Sequence, residues 1–444
     1  MPTDSEKEAE YAKRILKKAD KILADVDDAY IIRERGHFQR SMPLFRPEEV
    51  TLGPILGQGG FGVVNEVSNF CLDADETEEK VPQSGNAEHE PKSSDTATPP
   101  KENANPAVHE ATVDNLKGRV KQNSIDNNVH YDVLKARELM KANCLKNRSA
   151  RYALKRLHDD LSDLEKARGM IDLAVEAKYL SVVWHPNIVK MRGMAKGSLV
   201  DPDFFIIMDR LYETLDKRIE HWYTEEKKST GKMLGLGKRP KRLKQLLVER
   251  MTVAYDLAAA FFYLHENRLV YRDIKPENIG FDFRGDVKVF DFGLCKSLSS
   301  KLKARDGYGY RLTGRAGSLP YMAPEVAKME TYDTKCDVYS FAILMWEIMS
   351  LKQAFKGMSA SSFMEKVVMQ HGRLVVPKTF PPLTRLMIPE AWDSDPQKRP
   401  DMKRVAILIR GDLNDMTNDE AILRRTKHMK DRSNHSFSGF DIDD

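Results

Sequence analysis

Cysteine is scarce in this chain, with 4 residues among 444. The cysteines lie far apart, and no two of them form a C-x-x-C pair or a spacing typical of a disulfide framework. A disulfide-stabilised extracellular scaffold is therefore excluded, and the pattern indicates a reducing compartment. The four residues are Cys71, Cys144, Cys295 and Cys336.

Long apolar segments and a strong excess of one charge are also missing. The longest apolar runs, Leu257–Leu264 and Ala342–Trp346, are well below the roughly 18 residues that a membrane-spanning helix needs. The amino terminus, MPTDSEKEAEYAKR, is too charged for a secretory signal and too acidic for a transit peptide. The net charge of +4 gives no general attraction to nucleic acid. We expect a soluble cytoplasmic protein with no membrane span and no nucleic-acid partner.

Residues 71–149 lack the apolar content of a packed core. The segment from Asp73 to Lys121 is polar, acidic and rich in Pro, Ser, Thr and Asn, so it cannot bury enough surface to offset its ordering entropy. We predict disorder there and a helix near His130–Leu145, and we interpret 71–149 as an insertion. Its Ser and Thr residues are regulatory phosphosites or, as the simpler alternative, part of a passive linker.

Apolar residues recur at steps of three and four from Ser5 to Tyr30. This periodicity predicts an amphipathic helix within an N-terminal segment, 1–47. The helix either docks on its own domain or forms a coiled coil or partner site. The periodic residues are Tyr11, Ile15, Ala19, Ile22, Val26 and Tyr30.

A second insertion is predicted at 224–244, where basic residues cluster. The cluster is typical of a solvated loop, and an anion-docking loop or a nuclear-import signal are the alternatives. The last of these would place the protein in the nucleus. The basic residues are Lys238, Arg239, Lys241, Arg242 and Lys244.

The stretch 271–293 carries the densest group of chemically functional residues. It reads YRDIKPENIGFDFRGDVKVFDFG and contains Asp273, Lys275, Asn278 and Asp291. Short apolar runs joined at an Arg-Gly pair predict a hairpin. Two carboxylates and an amide on such a hairpin suit Mg²⁺ that is bound partly through the phosphates of a substrate.

A glycine-rich segment near the start of the chain fits the same chemistry. Gly57, Gly59 and Gly62 form G-x-G-x-x-G, in which backbone N–H groups can approach a phosphate closely. Rossmann folds share this pattern, but there it leads into a helix. Here Val63–Val67 continues as a β-branched strand, which favours two strands around a phosphate-binding turn.

These motifs resemble those of the protein kinases. The catalytic-loop and D-F-G motifs within 271–293 match, as do Lys155 in RYALKRL and the segment GSLPYMAPE. The resemblance covers about residues 48–411 and implies an α+β fold of two lobes. The N-lobe would be small and β-rich with one main helix, and the C-lobe would be larger and helical. The remaining residues, 412–444, read as a charged C-terminal tail.

The resemblance implies an enzyme that depends on ATP and Mg²⁺. In that family Asp273 would accept the proton of the substrate hydroxyl, and Lys275 would stabilise the transferred phosphate. Asn278 and Asp291 would bind Mg²⁺. The residues implied to hold the nucleotide are Leu56, Gly57, Gly59, Gly60, Phe61, Gly62, Val64, Ala153, Lys155, Glu176, Met208, Asp209, Leu211, Gly280 and Asp291.

Other residues narrow the kinase class. Lys275 in D-I-K-P-E-N is the form found in Ser/Thr kinases, and Ser318 takes the small-hydroxyl position before Y-M-A-P-E. The helix DVYSFAILMWEI resembles the tyrosine-kinase-like group, whose members mostly phosphorylate Ser and Thr. Protein substrates are implied because Glu325, Asp337 and Arg399 complete the docking elements, which disfavours a small-molecule kinase. The alternative function is a pseudokinase that acts as a scaffold or nucleotide sensor.

Three positions depart from or qualify the kinase pattern. Tyr271 replaces the usual His before Arg-Asp. Gly280 stands where a bulky aliphatic residue usually floors the adenine pocket, and Phe290 is larger than many residues at its position. We therefore hypothesise that Phe290 fills the space that Gly280 leaves.

Arg272, next to the catalytic Asp, indicates control by phosphorylation of the activation segment by an upstream kinase. A phosphate would offset the charge of this arginine. By its distance from the A-P-E motif Thr313 is the first candidate site, ahead of Ser299, Ser300, Tyr308 and Tyr310.

Overall fold

The computed structural model describes residues 4–35, 42–72, 132–146, 149–231, 239–305 and 308–417. The segment predicted to be disordered, the basic residue Lys238 and the tail beyond Thr417 lie outside these residues. The described chain forms the predicted α+β fold, with a β-rich N-lobe and a helical C-lobe. Within it, no helix is both long enough and apolar enough to cross a membrane.

The N-lobe is built on one twisted sheet. Its strands are β1 (Leu44–Phe45), β2 (Val50–Gln58), β3 (Gly62–Phe70), β4 (Leu145–Lys146), β5 (Ser149–Ala150), β6 (Tyr152–Leu157), β7 (Met191–Ala195) and β8 (Phe205–Asp209). Six of them form the main sheet in the order β1-β7-β8-β6-β3-β2. β2 and β3 are the strands predicted around the glycine-rich turn, and they pair antiparallel. β1 pairs parallel with β7 and covers what would otherwise be an open edge.

Five helices lie in the described part of the N-terminal half. They are α1 (Asp4–Leu16), α2 (Ala19–Asp27), α3 (Tyr30–Arg35), α4 (132–142) and α5 (Asp163–Leu180). The sequence predicts one helix over the region of α1 to α3, and the structure instead breaks it into three short helices, of which α1 and α2 pack against α5. The break rotates Leu23 and Ile31 into the core and leaves Tyr11 at 48% exposure. The N-terminal segment therefore docks on its own domain.

The insertion rejoins the N-lobe through α4, inside the region predicted to be helical. Arg137 on this helix is buried and donates to Glu49 Oε1 at 2.6 Å, and its guanidinium group lies 5.3 Å from the centre of the Phe45 ring. Breaking a buried ion pair is costly, because it leaves an uncompensated charge. The pair between Arg137 and Glu49 therefore holds α4 in place on the N-lobe.

The C-lobe consists of helices around one buried helix. The helices are α6 (Leu215–Ser229), α7 (Pro240–Glu266), α8 (Pro324–Ala327), α9 (Lys335–Ser350), α10 (Ala360–Phe363), α11 (Pro382–Ala391) and α12 (Met402–Met416). α9 is the DVYSFAILMWEI helix, and nearly all of its residues are buried. α7 starts at Pro240, inside the region predicted to be the loop 224–244, because proline suits the first turn of a helix. Both ends of the predicted loop 224–244 are therefore helical, since its first residues belong to α6 and its last residues belong to α7.

Short strands of the C-lobe position the stretch 271–293. They are β9 (Glu213–Thr214), β10 (Leu269–Val270), β11 (Ile279–Phe281), β12 (Val287–Val289) and β13 (Lys296–Ser297). β11 and β12 pair antiparallel, and Gly285 in their turn has a φ of +80°. The predicted hairpin is confirmed. β9 pairs with the other edge of β11, so the connection between the lobes runs directly beside the hairpin.

Candidate active site

Lys155 on β6 pairs with two carboxylates. Its Nζ lies 2.6 Å from Glu176 Oε2 and 3.1 Å from Asp291 Oδ1. Glu176 comes from α5, whose first turn is fixed by a capping box between Ser162 and Glu165. Burial alone would lower the pKa of Lys155, but the neighbouring carboxylates raise this pKa above its ordinary value. The site therefore holds Lys155 as an ammonium ion.

Asp291 precedes the buried Phe292 in the D-F-G motif. Its φ of +64° lies in the left-handed region, which turns the carboxylate back toward β6. The charge of Lys155 holds the pKa of Asp291 below its ordinary value. Phe292 is fully buried and packs edge-to-face on Tyr271, with 5.4 Å between ring centroids. A charged carboxylate with 42% of its side chain exposed is thus available to a cation.

Asp273 is the centre of a polar network. Its Oδ1 accepts hydrogen bonds from the backbone N–H and the hydroxyl of Ser318, each at 3.0 Å. Its Oδ2 accepts from Lys275 Nζ and from Asn278 Nδ2, each at 2.8 Å. Lys275 Nζ also donates to Ser318 Oγ at 3.0 Å. The structure therefore brings together the three predicted catalytic residues and the serine of the GSLPYMAPE segment.

Asn278 and Asp291 provide hard oxygen donors that fit Mg²⁺. The amide nitrogen of Asn278 is used by Asp273, whose backbone oxygen it also contacts at 3.0 Å, and this leaves the amide oxygen for a cation. Among the described residues no group of three or more His, Cys, Asp or Glu could hold a metal on its own. Two oxygen donors without a full protein cage are typical of a cation that is also bound by substrate phosphates and water.

The loop that carries Asp273 is anchored on α9. Asp337, which is fully buried, accepts hydrogen bonds from the backbone N–H groups of Tyr271 and Arg272, each at 2.8 Å. His265 Nε2 lies 2.9 Å from the same carboxylate. Arg272 has a φ of +71°, a conformation that these bonds stabilise. Sequence reasoning missed His265, because nothing in the local pattern links it to Asp337.

The predicted nucleotide residues of the N-lobe lie on neighbouring strands. Val64 is paired with Lys155 across β3 and β6, and Ala153 is paired with Met208 across β6 and β8. The turn between β2 and β3 is closed by a hydrogen bond from the Gly59 N–H to the Gly62 carbonyl at 2.8 Å. Gly60 and Phe61 complete the turn, and Leu56 and Gly57 lie near the end of β2 that leads into it.

This glycine-rich turn leaves room beside its backbone. A side chain added at Gly57 or Gly60 would meet no atom within 4 Å. Phe61 instead folds inward, where its Cβ lies 3.0 Å from the position that a Cβ at Gly169 of α5 would take. The open backbone is what a phosphate-binding turn requires.

The space beside Gly280 is filled by the connection between the lobes, and not by the residue expected from the sequence. A Cβ added there would lie 2.8 Å from Leu211 Cδ1 and 3.2 Å from the Glu213 carbonyl oxygen. The hypothesis that Phe290 fills this space is wrong. Phe290 lies opposite Asn278, to whose carbonyl its N–H donates at 3.0 Å, whereas the residue opposite Gly280 is Lys288. In the same connection Asp209 is held by Arg192 through two bonds of 2.7 Å.

Arg272 also contacts the activation segment. Its side chain donates to Thr313 Oγ1 at 2.8 Å and to the Tyr332 hydroxyl at 3.1 Å. Thr313 is exposed. Burial and the charge of the nearby Arg272 both lower the pKa of Lys296 on β13. Lys296 and Tyr332 were missed from the sequence, since each reaches this place through the tertiary fold.

The end of the activation segment is fixed by a buried ion pair. Arg399 donates to both carboxylate oxygens of Glu325, at 2.7 and 2.8 Å, and both residues are buried. Arg399 also donates to the Lys335 carbonyl at 2.9 Å. This bidentate contact ties the GSLPYMAPE segment to the start of α9.

Residues 132–409 match the sequence profile described as protein tyrosine and serine/threonine kinase. The chain belongs to this protein kinase family. The kinase is 34% identical over 228 residues to serine/threonine-protein kinase CTR1 of Arabidopsis thaliana, which is 51% of this chain and 25% of that protein. It is 33% identical over 156 residues to dual specificity protein kinase shkB of Dictyostelium discoideum, which is 35% of this chain and 23% of that protein.

A third relative has a similar likeness. Mitogen-activated protein kinase kinase kinase 13-B of Xenopus laevis is 28% identical over 235 residues, which is 52% of this chain and 21% of that protein. The chain spans about a quarter of the length of these curated relatives. The predicted likeness to the tyrosine-kinase-like group is confirmed by them.

Proposed function

We propose that this chain is an ATP- and Mg²⁺-dependent kinase that transfers the γ-phosphate of ATP to Ser and Thr hydroxyls of protein substrates. The observation that carries the proposal is the network that places Ser318, Lys275 and Asn278 on the carboxylate of Asp273. A carboxylate held in one orientation is the arrangement that a hydroxyl acceptor needs for proton removal. The names of the Arabidopsis and Xenopus relatives support the same activity.

Each polar group of the site has a part in this reaction. When bound, Mg²⁺–ATP supplies the transferable phosphoryl group and a cation that offsets its charge. Asp273 accepts the hydroxyl proton of the substrate, and Lys275 places a positive charge beside the acceptor. Lys155, held as an ammonium ion by Glu176, binds the nucleotide phosphates. Asn278 provides an amide oxygen to the cation.

The Ser/Thr preference is supported by the contact between Lys275 and Ser318. Lys275 Nζ donates both to Ser318 Oγ at 3.0 Å and to Asp273 Oδ2 at 2.8 Å. The lysine is therefore fixed beside the position at which the acceptor hydroxyl binds. The Dictyostelium relative carries the name dual specificity kinase, so Tyr acceptors belong in the same experiment as Ser and Thr acceptors.

The pseudokinase alternative is not supported. That class usually lacks one of the groups that bind the nucleotide or accept the proton. Lys155, Asp273 and Asp291 are all present, and each makes the polar contacts described above.

Regulation by phosphorylation of Thr313 extends this function. Arg272 donates to neutral oxygens at this place, namely the Leu294 carbonyl and the hydroxyls of Thr313 and Tyr332. A phosphate on Thr313 would give the arginine an anionic partner and would lie near Lys296. The partner that this regulation requires is an upstream protein kinase.

The experiment that tests the function is phosphate transfer from radiolabelled ATP to a degenerate peptide library with Ser, Thr or Tyr acceptors. We expect Mg²⁺-dependent labelling of the Ser and Thr libraries by the full chain. Asp273→Asn keeps the size of the side chain and should lower the rate by at least about a hundredfold. Transfer no faster than that of the Asp273→Asn control would contradict the activity, and labelling of Tyr alone would contradict the acceptor class.

A further inference from the structure

Gly280 lies at a position where this chain has no side chain and no free space. Gly280 is buried in β11. A Cβ built on it would lie 2.8 Å from Leu211 Cδ1, 3.2 Å from Leu211 Cβ and 3.2 Å from the Glu213 carbonyl oxygen. Real Cβ atoms do not approach other atoms as closely as 2.8 Å, so the leucine occupies the volume that a side chain at 280 would need.

The strand geometry shows which way this position faces. Successive residues of a strand point to opposite faces. Ile279 and Phe281 are both buried on the C-lobe side, where the Phe281 ring lies 4.0 Å below the guanidinium group of Arg218. Gly280 therefore faces away from the C-lobe core and toward the cleft, and Leu211 meets it there.

Leu211 is held at this place by the backbone on either side. The Arg210 N–H donates to the Arg151 carbonyl at 2.9 Å, and the Tyr212 N–H donates to the Phe281 carbonyl at 2.8 Å. These bonds attach the connection to the residue just before β6 on one side and to β11 on the other. Leu211 is itself only partly buried, so part of its surface stays accessible.

We propose that Leu211 forms the apolar floor under the nucleotide base, in place of the side chain that is missing at Gly280. The inference rests on the proposed nucleotide function and adds the residue that contacts the base. The floor is thereby carried by the connection between the lobes and not by β11. Any movement of that connection moves the floor together with it.

The test measures binding of two probes to the full chain by calorimetry. Adenosine has the base without phosphates, and magnesium tripolyphosphate has the phosphates without a base. We expect Leu211→Ala to weaken adenosine binding by about tenfold, because a hydrophobic contact of a few carbon atoms is lost. Tripolyphosphate binding should stay unchanged, since the phosphate site lies at Lys155.

A reciprocal exchange sharpens the test. Gly280→Leu alone should weaken adenosine binding because the new side chain collides with Leu211. In Leu211→Ala/Gly280→Leu the floor is supplied from β11, and we expect adenosine affinity within about threefold of the wild type, a strongly non-additive result. Gly280→Ala, with one added carbon, is the variant to use if the leucine prevents folding. Its penalty should be smaller in the Leu211→Ala background, where the 2.8 Å contact with Leu211 Cδ1 is removed and the 3.2 Å contacts with the 211 Cβ and the Glu213 carbonyl oxygen remain.

Two controls separate the possible outcomes. Leu386→Ala removes the same atoms from an exposed leucine of the C-lobe, 63% accessible, and should leave both probes unaffected. Phe290→Leu should also retain adenosine affinity. A loss of affinity as large as that in Leu211→Ala would indicate that Phe290 contributes to the floor under the base, against the inference. If Leu211→Ala binds adenosine as tightly as the wild type does, the inference about Leu211 is wrong, while the proposed kinase function is unaffected. If the wild type binds neither adenosine nor magnesium tripolyphosphate, the inference about Leu211 and the proposed nucleotide function are both wrong.

Discussion

Lys178 on α5 and Asp27 on α2 form an ion pair, with 2.5 Å between Nζ and Oδ1. α5 also carries Glu176, which pairs with Lys155. The ion pair between Lys178 and Asp27 therefore connects the N-terminal helices to the helix that positions Lys155. One residue further along, Asp28 pairs with Lys301 of the activation segment at 2.6 Å. The N-terminal segment thus contacts both α5 of the N-lobe and the activation segment of the C-lobe.

The first prediction concerns the buried face of these helices. Leu23 on α2 is 9% exposed and belongs to the core. We expect Leu23→Asp to lower the free energy of unfolding by about 3 kcal/mol, because a carboxylate is buried without a partner. Phosphate transfer should fall as well, since α5 loses its support. Urea unfolding measures the first effect, and the peptide-library assay measures the second. Amide hydrogen exchange in 163–180 reports whether α5 has lost its support.

The matched control for this prediction is Asp27→Asn. The Asp27 side chain is 50% exposed, so loss of its ion pair should cost less than about 1 kcal/mol. Unchanged exchange in α5 after Leu23→Asp would show that the N-terminal helices do not support it.

The second prediction concerns the buried lysine. Lys155→Met keeps most of the apolar length of the side chain but leaves Glu176 and Asp291 without their cation. We expect the free energy of unfolding to fall by about 3 kcal/mol. We also expect phosphate transfer to fall by more than about a hundredfold, because a fixed charge at the phosphates is lost.

The conservative companion is Glu176→Gln, which can still accept a hydrogen bond from Lys155. Its loss of activity should be smaller than that of Lys155→Met. Chemical unfolding and the peptide-library assay report the two effects separately. A Lys155→Met variant with wild-type activity would place the nucleotide phosphates elsewhere.

The third prediction concerns pH. Glu347 on α9 is 3% exposed, and burial raises its pKa to about 7. Because the folded pKa lies above the unfolded one, the stability it contributes is complete below about pH 4.3 and is lost as the pH rises to about 7. Relative to Glu347→Gln, the wild type should lose about 3 kcal/mol across this window.

Urea unfolding of both proteins at a series of pH values tests this directly. The glutamine can still accept a hydrogen bond from the Ala354 N–H, as Glu347 does at 2.6 Å, and can donate to the hydroxyl of Tyr321. The two stability curves should meet at acidic pH and separate as the pH rises. Parallel curves would show that folding does not raise the pKa of Glu347.

The catalytic groups could be predicted because short motifs contain them. Asp273, Lys275 and Asn278 lie within one short loop and match the catalytic-loop motif of the protein kinases, and this resemblance implies that they meet. The hairpin that follows was predictable for the same reason, since its strands are neighbours and its turn contains Gly285.

Contacts between distant parts of the chain could not be predicted in this way. Leu211 reaches Gly280 only because β9 pairs with β11, and no local pattern encodes that pairing. The N-terminal periodicity indicated helix correctly, but it could not show where short helices bend around α5. β1 has two residues, too few for an alternating pattern to be visible.

The last prediction concerns Thr313. In protein purified from its native cells we expect Thr313→Ala to lower phosphate transfer by about tenfold, or about 1.4 kcal/mol, because Arg272 lacks the charge-assisted bonds of a phosphate. Phosphatase treatment should lower the activity of the wild type to the same level and should leave Thr313→Ala unchanged. Mass spectrometry of the activation segment then identifies the modified residue.

Thr379→Ala is the control, since Thr379 is an exposed threonine of the C-lobe outside the activation segment. It should behave as the wild type before and after phosphatase. Full activity in Thr313→Ala would remove this residue from the mechanism. A phosphatase effect that persists in Thr313→Ala would instead assign the control to another residue, with Ser299 and Ser300 the nearest candidates on the segment that Lys301 ties to Asp28.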